Sequence, residues 1–265
     1  MYKNNIKSIA IGSFDGIHIG HKALISQVEA VVIIERNGGY LTPGYKRSFF
    51  VEQPCFFYHF EHIKALRAKE FVAKLKTDFP ELEKIVVGYD FSFGYKKEGC
   101  TQMLQELFDG EVCIIEEVKS EDISVHSRII KSEVLNGDIA LVNQLLGRVY
   151  AIDGQVVSGQ GLGKEKLVAT LNLNARDYTL PKDGVYVTKT KVGDKWLKSV
   201  SFIGFRVTTD GSFAIETHVI DRDIGVLKGK VWVEFVAFIR ENRKFDGLEA
   251  LKKQINLDII HAKTI

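Results

Sequence analysis

The stretch Gly12-Ser13-Phe14-Asp15-Gly16-Ile17-His18-Ile19-Gly20-His21 sets two imidazoles three residues apart, directly after the apolar run Ile6–Ile11. If a helix opens there, His18 and His21 share one face of its first turn. A helix start also offers unpaired N–H groups and the positive end of the helix dipole, both suited to phosphate. Gly20 leaves room for a phosphate to approach the backbone. Two imidazole donors in that position could stabilise charge developing on an α-phosphate during nucleotidyl transfer. Later in the chain, Gly159, Gly161 and Gly163 make a loop whose amides can approach nucleotide phosphates without side-chain obstruction. Along 213–219, alternation puts Phe213, Ile215, Thr217 and Val219 on one face. Glu216 and His218 fall on the other, so a carboxylate stands on the polar side of an extended segment.

These groups need two kinds of scaffold. Up to Leu146, short apolar segments (Ile6–Ile11, Ala30–Ile34, Pro54–Phe57, Ile85–Val87, Val112–Ile115) alternate with helical patterns, which predicts a parallel sheet covered on both faces. After Gly147 the rhythm changes to strands separated by glycine-bearing turns: 148–157, 184–192, 196–203, 212–220 and 231–239. That pattern predicts a small antiparallel barrel or sandwich. A terminal helix follows, with Asp246 as cap, Glu249 three residues on, and Leu248, Leu251, Ile255 and Ile259 on one face. The chain of 265 residues is thus expected to form two domains, 1–146 and 147–265.

Composition narrows the field. With 36 basic and 34 acidic residues the formal charge is +2, which argues against a nucleic-acid partner. No apolar run approaches the roughly 18 residues of a membrane span, and the six mostly apolar residues near the start are too few for a signal-peptide core. Cys55, Cys100 and Cys113 form no CxxC pair and read as reduced thiols, so a cytoplasmic protein without a zinc site is expected.

The His-Ile-Gly-His signature with its Gly-Ser-Phe-Asp-Gly lead resembles the FMN adenylyltransferase module of bacterial FAD synthetases. Val86–Gly94 is similar to that module's GxDFxFG stretch. His126-Ser127-Arg128-Ile129-Ile130-Lys131 stands where the module has Ser-Ser-Thr-x-Ile-Arg. The resemblance implies catalytic roles for His18 and His21, and nucleotide contacts for Gly12, Phe14, Asp15, Gly20, Ser127 and Lys131. It also implies flavin contacts for Asp90, Phe91 and Phe93. Residues 35–50 are shorter and richer in glycine than the family pattern.

From Leu145-Leu146-Gly147-Arg148 onward the chain resembles the riboflavin kinase barrel that follows this module in bifunctional FAD synthetases. Leu167-Val168-Ala169-Thr170-Leu171-Asn172-Leu173 occupies the place of the GFPTAN motif, with Ala169 where proline is usual. Phe202–Thr209 keeps part of NIGxRPTF. The resemblance implies that Thr170 and Asn172 hold Mg²⁺ and nucleotide phosphates. Gly159, Gly161 and Gly163 would cradle ATP, Glu216 would be the base, and Arg240 would lie against flavin. The fold expected is a Rossmann-like α/β nucleotidylyltransferase domain followed by a mainly antiparallel, riboflavin kinase-like barrel with a terminal helix. The activity expected is phosphorylation of riboflavin to FMN by ATP and Mg²⁺, then adenylylation of FMN to FAD with release of pyrophosphate. Two narrower readings stay open: one surviving activity, or a non-catalytic flavin-binding protein.

Overall fold

The computed structural model describes residues 5–36, 40–158, 168–175, 177–225 and 227–265. The chain divides into two compact units, Met1–Ser127 and Arg128–Ile265.

The first unit is built on five parallel strands, β1 (Ser8–Gly12), β2 (Ala30–Glu35), β3 (Cys55–His59), β4 (Lys84–Gly88) and β5 (Glu111–Ile115). Their spatial order is β3-β2-β1-β4-β5. Alternation along each strand supplies two apolar faces. Ile9, Ile11, Val32, Ile85 and Val87 pack on one side with Phe71 and Leu75 of helix α3 (Ala68–Asp78) and Leu104 of α4 (Thr101–Leu107). Ala10, Val31, Ile33 and Val86 pack on the other with Leu24 and Ile25 of α1 (Ile19–Ile25). Burial on both faces is why these strands read as continuous apolar runs. A short helix α2 (Phe60–Ile63) follows β3, and a two-stranded hairpin, β6 (Lys119–Ser120) and β7 (Ile123–Ser124), follows β5. The order reverses at β1, so the loop after β1 sits at the switch point where such sheets bind ligands.

Helix α5 (Ser127–Asn136) leads into the second unit, and α6 (Ile139–Leu146) ends at Gly147 in the left-handed conformation, φ 62°. Both helices are tied to the second unit. Lys182 N–H donates to Val134 O at 3.1 Å, and Asn143 Nδ2 donates to Phe235 O at 3.0 Å. Six strands close a barrel: β8 (Tyr150–Val157), β9 (Leu171–Asn174), β10 (Gly184–Val192), β11 (Lys195–Phe205), β12 (Phe213–Val219) and β13 (Lys230–Glu241). The four-residue β9 completes the closure by pairing with β8 and β12. The terminal helix α7 (Leu248–Thr264) begins at Gly247, φ 87°, with no side-chain cap, so Asp246 does not cap it as the sequence pattern suggested. Glycine takes the boundary because the backbone there adopts a φ that a side chain would disfavour.

Part of the barrel's buried face is polar. Thr188, Thr190, Ser199, Ser201 and Thr217 are all fully buried, and their hydroxyls bond to one another in a ring at 2.8–2.9 Å. Donation can run Thr190 to Ser199, Thr188, Ser201, Thr217 and back to Thr190, so each hydroxyl gives one proton and receives one. A closed ring leaves no buried donor unpaired and lets each bond polarise the next. Thr188→Val should break two of its bonds and lower stability by about 1–3 kcal/mol in chemical denaturation, more than the same change at an exposed threonine.

Candidate active site

In the first unit the loop from Gly12 to His18 holds its shape through unusual backbone. Phe14 (φ 49°), Gly16 (φ 88°) and Ile17 (φ 44°) all lie in the left-handed region, and such strain clusters at ligand sites. His18 is the N-cap of α1, and its Nδ1 accepts the backbone N–H of His21 at 3.2 Å. An accepting Nδ1 places the proton of neutral His18 on Nε2, so that nitrogen is the donor. The His18 and His21 rings stack at 3.4 Å, and Phe14 meets His21 edge-on at 5.2 Å. Burial, and then the charge of His126, pushes the His18 pKa down to about 3. Burial also drives His21 well below the usual histidine range, helped by His18, Arg47 and His126. Both rings are therefore neutral donors at physiological pH.

The neighbours frame this pair. A Cβ on Gly20 would come within 3.2 Å of the His18 ring and 3.5 Å of Val125 O. The missing side chain makes room for the imidazole. Phe14 and Asp15 are buried, with Asp15 Oδ1 accepting the N–H of Thr42 at 3.0 Å. Gly12 lies against the Phe14 ring. Ser127 Oγ donates to Asp15 O at 2.8 Å, which ties the α5 start to this loop. Lys131 follows one helical turn later and is half-buried. Beyond β4, Asp90 is exposed and Phe91 half-buried, whereas Phe93 is core, packed on Phe71 at 5.6 Å. Phe93 holds the turn and stacks on Phe91 at 5.6 Å, while Asp90 faces solvent.

In the second unit, Thr170, Asn172 and Glu216 line one cavity of about 880 Å³. Leu171 and Leu173 are buried, so Thr170 and Asn172 take the opposite face of the extended segment. Asn172 is the cross-strand partner of Glu216. Arg206 joins the two: its Nη2 donates to Asn172 Oδ1 at 2.6 Å and to Glu216 Oε1 at 2.7 Å, and its Nε reaches the same Oε1 at 3.0 Å. His218 Nδ1 lies 2.8 Å from Ala169 O, a hydrogen bond that restrains the segment proline would otherwise stiffen. Gly159, Gly161 and Gly163 lie outside the described residues.

A riboflavin kinase family model matches residues 146–265, and an FAD synthetase model matches residues 2–36 and 47–129. The chain belongs to the bifunctional riboflavin kinase/FMN adenylyltransferase family. Proteins of that description from Listeria monocytogenes and Pseudomonas fluorescens are each 28% identical, over 95% and 96% of this chain and 90% and 91% of their own. The protein of that description from Escherichia coli K12 is 26% identical over 96% of this chain and 91% of its own. A crystal structure from Streptococcus pneumoniae, described as a macrolide-efflux protein, superposes with a TM-score of 0.85 at 26% identity. It covers 98% of this chain and 94% of that one. Among the described residues no helix is long and apolar enough to cross a membrane.

Against the family pattern, Arg206 is the residue that motif reading left without a role, visible only as the arginine in the partial NIGxRPTF segment. Arg240, expected against flavin, lines the same cavity but is engaged by Asp258 of α7. Its Nη2 donates to Oδ2 at 2.8 Å and its Nε contacts both carboxylate oxygens at 3.0 and 3.1 Å. Asp258 is buried, so this pair fastens α7 to β13. Asp258→Ala should raise hydrogen-exchange rates of α7 amides about tenfold, a loss of about 1.4 kcal/mol in local stability, while amides of β1 and β2 keep their rates.

Proposed function

We propose that the barrel unit transfers the γ-phosphoryl group of ATP to riboflavin, giving FMN and ADP, and that the N-terminal unit joins FMN to the AMP portion of a second ATP, giving FAD and pyrophosphate. The observation that carries this reading is the pairing of Asn172 with Glu216 across β9 and β12, in one cavity with Thr170. A strand glutamate on its own is usually solvent-facing; here it stands beside the two oxygen-bearing side chains of the altered GFPTAN segment. Each half of the chain thus supplies its own chemistry, with the kinase portion taken as 147–265 and the transferase portion as 1–146.

In the kinase reaction Glu216 orients the primary hydroxyl of the ribityl chain and takes its proton during attack on the γ-phosphate. Arg206 engages Oε1, so Oε2 is the oxygen left to receive that proton. Thr170, Asn172 and Glu216 present hard oxygen donors, and the guanidinium on Asn172 and Glu216 marks the spot as one that accepts a cation. These residues fit Mg²⁺, which prefers oxygen ligands and would neutralise phosphate charge when bound. Gly159, Gly161 and Gly163 are assigned to the ATP phosphates and Arg240 to closing the flavin end of the cavity.

In the transferase reaction the FMN phosphate is the nucleophile and needs no strong base. His18 Nε2–H and the His21 ring donate to the α-phosphate, where charge develops. Ser127 and Lys131 are assigned to nucleotide phosphates, and Asp90 and Phe91 to the flavin side. Neither step calls for nucleic acid or membrane, and riboflavin, FMN and ATP are all small molecules of the cytoplasm.

Chromatographic separation of riboflavin, FMN and FAD after incubation with ATP and Mg²⁺ tests the assignment. His21→Ala should cut FAD formation by about 10²-fold or more while FMN accumulates. Glu216→Gln should cut FMN formation by about 10²–10⁴-fold while supplied FMN is still converted. Equal damage to both steps by both substitutions would defeat the two-site reading.

A further inference from the structure

Arg47 lies in a seven-residue 3₁₀ segment, Gly44–Phe50, that follows β2, and its side chain is fully buried. Its Nε donates to Thr42 O at 3.0 Å and its guanidinium lies 4.7 Å over the Tyr40 ring. Its two terminal nitrogens, Nη1 and Nη2, have no hydrogen-bond partner among the described residues. A buried guanidinium with two idle amino groups is costly unless an anion completes it. The loop that holds it is itself pinned to the phosphate loop, because Thr42 N–H donates to Asp15 Oδ1. Its charge reaches His21 and is among the causes that keep that ring neutral.

The sheet order says which anion. Arg47 follows β2, the histidine pair follows β1, and Asp90 and Phe91 follow β4, and these strands are neighbours in the order β2-β1-β4. The histidines therefore stand between the flavin side and Arg47. Displacement at phosphorus runs in line, with the entering and leaving oxygens on opposite sides. An FMN phosphate oxygen arriving from the β4 side forms its bond to the α-phosphorus. The bond from that phosphorus to the β-phosphate oxygen breaks, and its electron pair leaves on pyrophosphate toward the β2 side. Two neutral imidazoles can donate to the α-phosphate but cannot neutralise the charge that leaves.

We propose that Arg47 binds the β- and γ-phosphates of ATP and then the departing pyrophosphate, through the fork of Nη1 and Nη2. This rests on the transferase reading for the identity of the leaving group, while the anion site stands on the geometry alone. A guanidinium suits the task because its fork matches phosphate oxygens bidentately.

Inorganic pyrophosphate is the probe, titrated into the full chain while the backbone amides of Ser13 to Lys22 are followed by NMR, which reads this site separately from the kinase cavity. Saturable shifts are expected in the wild-type chain. Arg47→Gln should weaken them at least tenfold, and Arg47→Lys should fall in between. Unchanged chemical shifts of the β3 and β5 amides, in the same unit but away from the loop, report that the variants are folded. Pyrophosphate binding to Arg47→Gln within twofold of wild type would overturn the proposal. Should Arg47→Gln fail to fold, Arg47→Lys decides: at least threefold weaker binding supports the fork, and binding within twofold overturns it. If the wild-type chain makes no FAD yet loses pyrophosphate binding with Arg47→Gln, the transfer reading fails and the anion site remains.

Discussion

The hydrogen bond from His21 N–H to His18 Nδ1 sets most of what the first unit can do. It fixes the tautomer of His18, starts helix α1 at the next residue, and allows the two rings to stack at 3.4 Å. Buried this deeply, both rings are held neutral chiefly by desolvation, with the charge of His126 acting on each and that of His18 on His21. Much of the surroundings is arranged around that pair. Gly20 yields space to the His18 ring, Phe14 braces His21, and Asp15 and Ser127 fasten neighbouring segments to the loop. The left-handed residues at 14, 16 and 17 are what this packing imposes on the backbone.

The second unit solves a comparable problem with opposite means. Its cavity keeps a carboxylate and an amide beside each other on adjacent strands, and a cation, Arg206, holds them together. Charge is managed there by pairing, whereas in the first unit it is managed by exclusion. The near-neutral net charge of +2 is consistent with both, since phosphate binding would draw on local donors and on a few placed cations rather than on a basic surface. The hydroxyl ring gives the barrel a buried polar layer with every donor satisfied, so its inner face is specified as well as apolar.

The alternation of apolar strands with helices made the parallel sheet legible, because strands buried on both faces leave uninterrupted apolar runs. The change of rhythm at Gly147 coincides with a helix C-cap, although the compact unit of the barrel also takes in α5 and α6. The HxGH pair and Glu216 were legible because spacing fixes a shared face. What spacing cannot tell is which way a side chain is used. Gly20 serves a ring, Phe93 serves the core, and Arg240 is engaged by a carboxylate 18 residues away. Arg206 showed only as the arginine of a partial motif and Arg47 carried no pattern at all, since their roles arise from long-range placement. Asp246 looked like a cap by type and spacing, yet Gly247 took the boundary through backbone conformation.

The neutral, tautomer-fixed state of His18 is the claim on which the transferase site depends, and long-range ¹H–¹⁵N NMR of histidine-labelled protein reads it directly. His18 should show a protonated Nε2 and an unprotonated Nδ1 throughout the neutral range and begin to titrate only as the pH approaches about 3. A His18 ring that gains its second proton near its ordinary value of 6.5, or that carries its proton on Nδ1, would contradict the account.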